Sequence, residues 1–201
     1  MMISNFSFFS LVRRTKAGIV LTLPFLLSLA GFPQNKGYSL SEARKVLKAI
    51  DRVQRESSRE NNGPLRQIAL TESEFNAYVA YRIETEKEEI MKELRLKLLE
   101  ENRIEGRIHI DLRSQKIPQF LRPEMDLYFA ADLEASYGKA RLNVKELFLD
   151  HQPVQPLFLD LVIRVIAQFD KAAPSSLSDW YELPYGIKNI KTQEGKVIFY
   201  Y

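Results

Sequence analysis

Two histidines and a short series of acids on strand-like segments are the side chains that could do chemistry in this 201-residue sequence, which has no cysteine. His109 and Asp111 are two residues apart in an alternating segment, so their side chains share one face. A zinc-type site needs at least three ligands and a supporting shell of hydrogen bonds, and no third ligand stands nearby. His151 follows Asp150 in a turn that precedes Gln152-Pro153. A Ser–His–Asp relay built on it would need a nucleophile elbow, and no Gly-x-Ser-x-Gly occurs. Asp126, Asp132 and Glu134 lie on one face of a single strand. Glycosidase carboxylates face each other across a cleft about 5–9.5 Å wide, so three acids on one outer face read as solubility and edge protection. The sequence has no Gly-x-Gly-x-x-Gly, P-loop or EF-hand pattern. No catalytic residue, metal ligand or cofactor is assigned, and the expectation is a binding module rather than an enzyme.

The charge balance points the same way. The chain has 29 Lys+Arg against 26 Asp+Glu, net +3. Arg13, Arg14 and Lys16 supply the whole surplus and lie in the first 30 residues, which contain no acid. The remaining body has 26 of each sign and is expected to carry no basic stripe, which argues against nucleic acid, where phosphate neutralisation dominates binding.

Those three cations precede an apolar run, Ala17–Phe32. A basic flank, a short apolar stretch and the small residues Ser28-Leu29-Ala30 form an export-signal pattern, with cleavage expected after Ala30. The run contains Pro24 and is shorter than the roughly 20 residues of a comfortable span, although a retained anchor remains the alternative. Either way the body is expected outside the cytoplasm, in the periplasm or cell envelope. The absence of cysteine suits an exported chain that avoids oxidative folding.

The body divides into a linker and amphipathic helix (31–64) and an α+β domain (65–201). Ser39 and Glu42 form a capping box ahead of Leu40, Ala43, Leu47, Ile50 and Val53 at helical spacing, and Asn61-Asn62-Gly63-Pro64 ends that helix. An extended segment follows at 65–70. A second capping box, Thr71-Glu72-Ser73-Glu74, then opens a helix carrying Phe75, Tyr78, Val79 and Ile83 on one face. The period then changes from 3.6 to 2. Leu94, Leu96 and Leu98 begin an antiparallel meander, continued by Ile108–Leu112, Met125–Tyr137 and Leu142–Leu149. The alternation slips near Lys145-Glu146, which predicts a bulge. A closing hairpin follows over 187–201.

The segment 154–169 reads as a helix whose polar residues, Asp160, Arg164 and Gln168, form one narrow stripe. An ordinary surface helix has a narrow apolar stripe instead. This helix is therefore expected to be covered around most of its circumference, by a curled sheet or by a sheet and a ligand.

Three features together carry a resemblance: Leu70-Thr-Glu-Ser-Glu-Phe-Asn76, the meander followed by a very apolar helix, and Leu183-Pro-Tyr-Gly-Ile187. The layout resembles the bacterial TULIP (tubular lipid-binding) superfamily, in particular the LmeA-like and YceB-like small exported proteins. The resemblance covers roughly residues 65–201. It implies a strongly curled antiparallel sheet wrapped around the long apolar helix, with an additional N-terminal amphipathic helix. It also implies a lipid-binding groove between that helix and the sheet. The expected walls are Phe158, Leu161, Val162, Val165 and Phe169, opposite Leu127, Phe129 and Leu133, with Phe75 and Val79 from the earlier helix. The expected partners are a lipid or other long apolar ligand, a membrane surface, and a protein held through helix 39–59. The alternative is a non-enzymatic envelope scaffold with a closed core.

Overall fold

The computed structural model describes residues 37–57, 64–87, 89–114, 116–117, 119, 122–170, 176, 178–184 and 186–201, the side chains of 164–170 excepted. The export-type segment lies outside the described residues. Among the described residues the order is α1 (Leu40–Ser57), β1 (Gln67–Thr71), α2 (Glu72–Glu86), β2 (Met91–Leu98), β3 (Arg103–Asp111), β4 (Glu124–Ser136), β5 (Lys139–Leu149), β6 (Gln152–Val154), α3 (Leu157–Asp170), β7 (Tyr181–Glu182), β8 (Asn189–Gln193) and β9 (Lys196–Tyr200).

The architecture is α+β with a strongly curled antiparallel sheet of half-barrel form. Strands β2-β3-β4-β5-β6 run in sequence order, and β7 pairs with the opposite end of β5. A second sheet, β1-β9-β8, joins residues 67–71 to the end of the chain, with Ala69 opposite Ile198. Period-2 patterning places Leu94, Leu96, Leu98, Ile108, Leu127, Phe129, Leu133 and Leu142 on one buried face. The anticipated bulge is present. Ala130 pairs with Glu146 and Ala131 with Val144, so Lys145 is the extra residue and Leu147 returns to the buried face. Gly106 makes room within the sheet, since a Cβ there would stand 2.3 Å from two ring carbons of Phe129.

The turns carry the dihedrals that tight hairpins require. Glu101 and Asn102, and Tyr137 and Gly138, all have positive φ. Asn102 also ties the two sheets together. Its carbonyl accepts from the Leu133 amide at 2.7 Å, and its side-chain oxygen accepts from the Thr192 amide at 3.0 Å.

The two capping boxes have different outcomes. Thr71 and Glu74 close theirs reciprocally. At α1, Ser39 accepts from the Glu42 amide at 3.3 Å, while the Glu42 carboxylate accepts instead from Ser73 Oγ on α2 at 3.0 Å.

The 154–169 helix differs from expectation. In α3, Leu159 and Val162 are buried, but Leu157 is 64% exposed and Leu161 38% exposed. Among its described side chains, only one face is covered. Apolar composition around a helix does not by itself recruit a second layer. The helices packed together are α1 and α2, with α2 lying on β2.

Candidate functional site

The site is an apolar cavity of about 170 Å³ bounded by α1, α2, strands of both sheets and Leu183, Pro184 and Ile187. Val46, Ala49, Ile50 and Val53 of α1 form one wall. Phe75, Tyr78 and Val79 of α2 form the next, and Leu94, Ile104, Leu133, Ile190 and Val197 come from the strands. The stripe on α1 follows from i, i+4, i+7 spacing (Val46, Ile50, Val53).

The two side chains with polar atoms in this wall are already engaged. Tyr78 accepts at its hydroxyl from Arg82 Nη1 at 3.0 Å. Thr192 Oγ1 donates to the Leu99 carbonyl at 2.8 Å. The lining therefore selects against a guest with a polar group inside, because that group would lose water and gain no partner. Ala49, Ile50, Pro184 and Ile187 line the space yet are half-buried, as are Ile68, Phe75, Met91 and Phe199, so the cavity wall reaches the surface at more than one place.

The walls are fastened unequally. α2 is joined to β2 through backbone groups: Asn76 bonds both the amide and carbonyl of Leu96, and Glu72 accepts from the Leu98 amide at 2.7 Å. α1 is held by polar side chains at its two ends. Lys45 reaches Glu74 at 3.3 Å, and Tyr38 donates to Glu84. At the other end Glu56 accepts from Arg66 at 3.0 Å and from the Tyr201 hydroxyl at 2.9 Å. Hydrogen bonds from Arg52, then Arg66 and Tyr201, hold the Glu56 carboxyl down to about 2. Burial, then the Glu84 carboxylate, pushes the Tyr38 phenol up to about 12.

Of the sequence-predicted wall residues, Phe75, Val79 and Leu133 line this cavity. Leu127 and Phe129 are buried on the same sheet face but lie outside it. Phe158, Leu161 and Val162 do not line it, so the expected groove between α3 and the sheet is not where this space lies. The side chains of Val165 and Phe169 lie outside the described residues. The α1 residues were missed as a wall, although their amphipathic spacing signalled a face needing a partner.

The polar face of the sheet pairs its acids. Arg107 contacts Asp126 at 3.1 Å, Lys145 contacts Asp132 at 3.4 Å and Arg141 contacts Glu134 at 2.6 Å. His109 sits between two carboxylates, its Nδ1 3.0 Å from Asp126 and its Nε2 3.3 Å from Glu124. Burial pushes the Asp126 carboxyl up, but the bonds from His109 and Arg107 outweigh it and leave it lowered. An open groove of about 390 Å³ crosses this face above Ala130, flanked by Arg95, Lys97 and Arg107. Each of these cations has an acid partner: Arg95 at Glu93, Lys97 at Glu105, Arg107 at Asp126. Among the described residues no cluster of His, Asp and Glu could hold a metal ion. Nor is any described helix long and apolar enough to cross a membrane.

No protein-family model, curated protein or solved structure matches the chain.

Proposed function

We propose that the chain binds the hydrocarbon tail of a lipid or similar amphiphile, inserted end first between α1, α2 and the curled sheet. The observation that carries this reading is the wall chemistry: a 170 Å³ space whose polar side chains are already bonded to the protein.

Magnitudes favour a guest over an empty core. Close-packed interiors leave few voids larger than a water molecule. At about 24 cal/mol per Å³, leaving 170 Å³ empty forgoes roughly 4 kcal/mol. The space is close to the engineered cavity of about 150 Å³ that takes a benzene ring. By the same comparison it takes a chain end of about six carbons, the number in a benzene ring. Burying them gains about 0.8 kcal/mol each, so a chain end of this length supplies roughly 4–5 kcal/mol. A whole lipid does not fit. The head group and the rest of the tail stay outside the cavity.

The TULIP-like reading and a location outside the cytoplasm belong to the same proposal. The curled antiparallel sheet supports the first. The Arg13-Arg14-Lys16 flank and the apolar run Ala17–Phe32 support the second.

Native mass spectrometry of full-length protein tests the reading. Protein incubated with excess long-chain fatty acid is expected to carry one bound molecule. Failure to retain any such mass overturns the proposal in favour of a scaffold with a closed core.

A further inference from the structure

Contrary to the expectation of a body without a basic stripe, the outward face of α1 concentrates positive charge. At 100° per residue, Arg44, Lys45, Lys48, Arg52 and Arg55 fall within an arc of about 100°. All five are exposed, and the arc lies opposite the buried Val46 and Val53. Asp51 is the one acid exposed on α1. Glu42 and Glu56 are turned toward the protein, to Ser73 and to Arg66 and Tyr201. Glu74 and Glu56 partly offset Lys45 and Arg52. Arg55 Nε donates to the Asp51 carbonyl at 3.2 Å, a neutral acceptor that leaves the charge in place. The body has equal numbers of both signs, so this surplus makes the molecule electrically lopsided.

Two further observations select the partner. Leu40 precedes Arg44 by one turn and is 36% exposed, placing an apolar side chain beside the cations. The apolar run Ala17–Phe32 ends seven residues before α1 begins, so a chain that retains it carries the cationic arc close to a bilayer. An exposed cationic arc with an apolar side chain at its edge matches the chemistry of an anionic bilayer surface.

We propose that the Arg44–Lys48–Arg55 face of α1 docks on an anionic phospholipid membrane. Docking uses the outside of the helix and the cavity uses its inside, so vesicle binding and tail uptake succeed or fail separately.

The test is co-sedimentation of full-length protein with vesicles of phosphatidylcholine alone, and with about a quarter phosphatidylglycerol added. The upstream apolar run contributes to both, so the readout is the difference between them. Binding to the anionic vesicles is expected to be about tenfold stronger or more, and to lose that margin in R44Q/K48Q/R55Q. The margin is also expected to vanish near 1 M salt, where the screening length is about 3 Å. The salt series on the unaltered chain decides the question even if the triple variant misfolds. Equal binding to both vesicles overturns the proposal. So does a margin that survives high salt, or retention on a single-stranded oligonucleotide without preference for the anionic vesicles.

Discussion

The side-chain amide of Asn76 forms both halves of a strand-like pair with Leu96: Nδ2 donates to the Leu96 carbonyl at 2.7 Å, and the Leu96 amide donates to Oδ1 at 2.8 Å. β2 is the edge of the six-stranded sheet, and an open edge leaves backbone groups unpaired. Asn76 and Glu72 supply those partners from α2. The contact blunts the edge and fixes the α2 wall of the cavity in one step.

Asn76→Ala is therefore expected to cost about 1–3 kcal/mol, because it strands both backbone groups of Leu96 in a half-buried place. Urea unfolding measures this. A loss below about 0.5 kcal/mol would mean that water replaces the amide freely and that α2 is held by its apolar face alone.

The two faces of α3 are expected to respond differently. Leu157→Ser and Leu161→Ser should each change stability by no more than about 0.5 kcal/mol, as exposed positions do. Leu159→Ala, at a residue 4% exposed, should cost about 2–5 kcal/mol. Comparable large losses at all three positions would show that α3 is covered all round.

Acid should loosen the end of α1 that Glu56 holds. An ordinary glutamate titrates near 4.5, and this one is held to about 2 in the folded protein. Between those values the unfolded chain binds the proton and the folded chain does not. The contribution is complete above about 4.5 and fades as pH falls toward about 2. Unfolding midpoints followed from neutral pH downward should show this decline, and Glu56→Gln should make it shallower. An unchanged acid limb in the variant would contradict the assignment.

Local elements were legible because their signals are local. The slip at Lys145, the Thr71–Glu74 box and the Tyr137-Gly138 turn each depend on a few neighbouring residues. The pairing of β1 with β9 was not legible, since Ala69 and Ile198 are brought together only by the closed fold. Gln152-Pro153-Val154 forms a strand although Val154 reads as the start of the following helix, and the proline is accommodated because β6 is an edge. The described cavity lies against α1 rather than α3 for a physical reason. Hydropathy measures how apolar a helix is, and burial depends on what packs against it. The modest Val46-Ile50-Val53 stripe became the wall, and Leu157 and Leu161 were left at the surface.

The most direct measurement is titration of full-length protein with a fatty acid whose fluorophore sits at the head-group end, set beside the same titration of Ala49→Phe. Ala49 faces the cavity, and a phenyl ring occupies most of a space this size. The account expects saturable, single-site, salt-insensitive uptake by the unaltered chain, and at least about tenfold weaker uptake by the variant with its thermal stability kept. No saturable uptake, or equal uptake by both proteins, would contradict it.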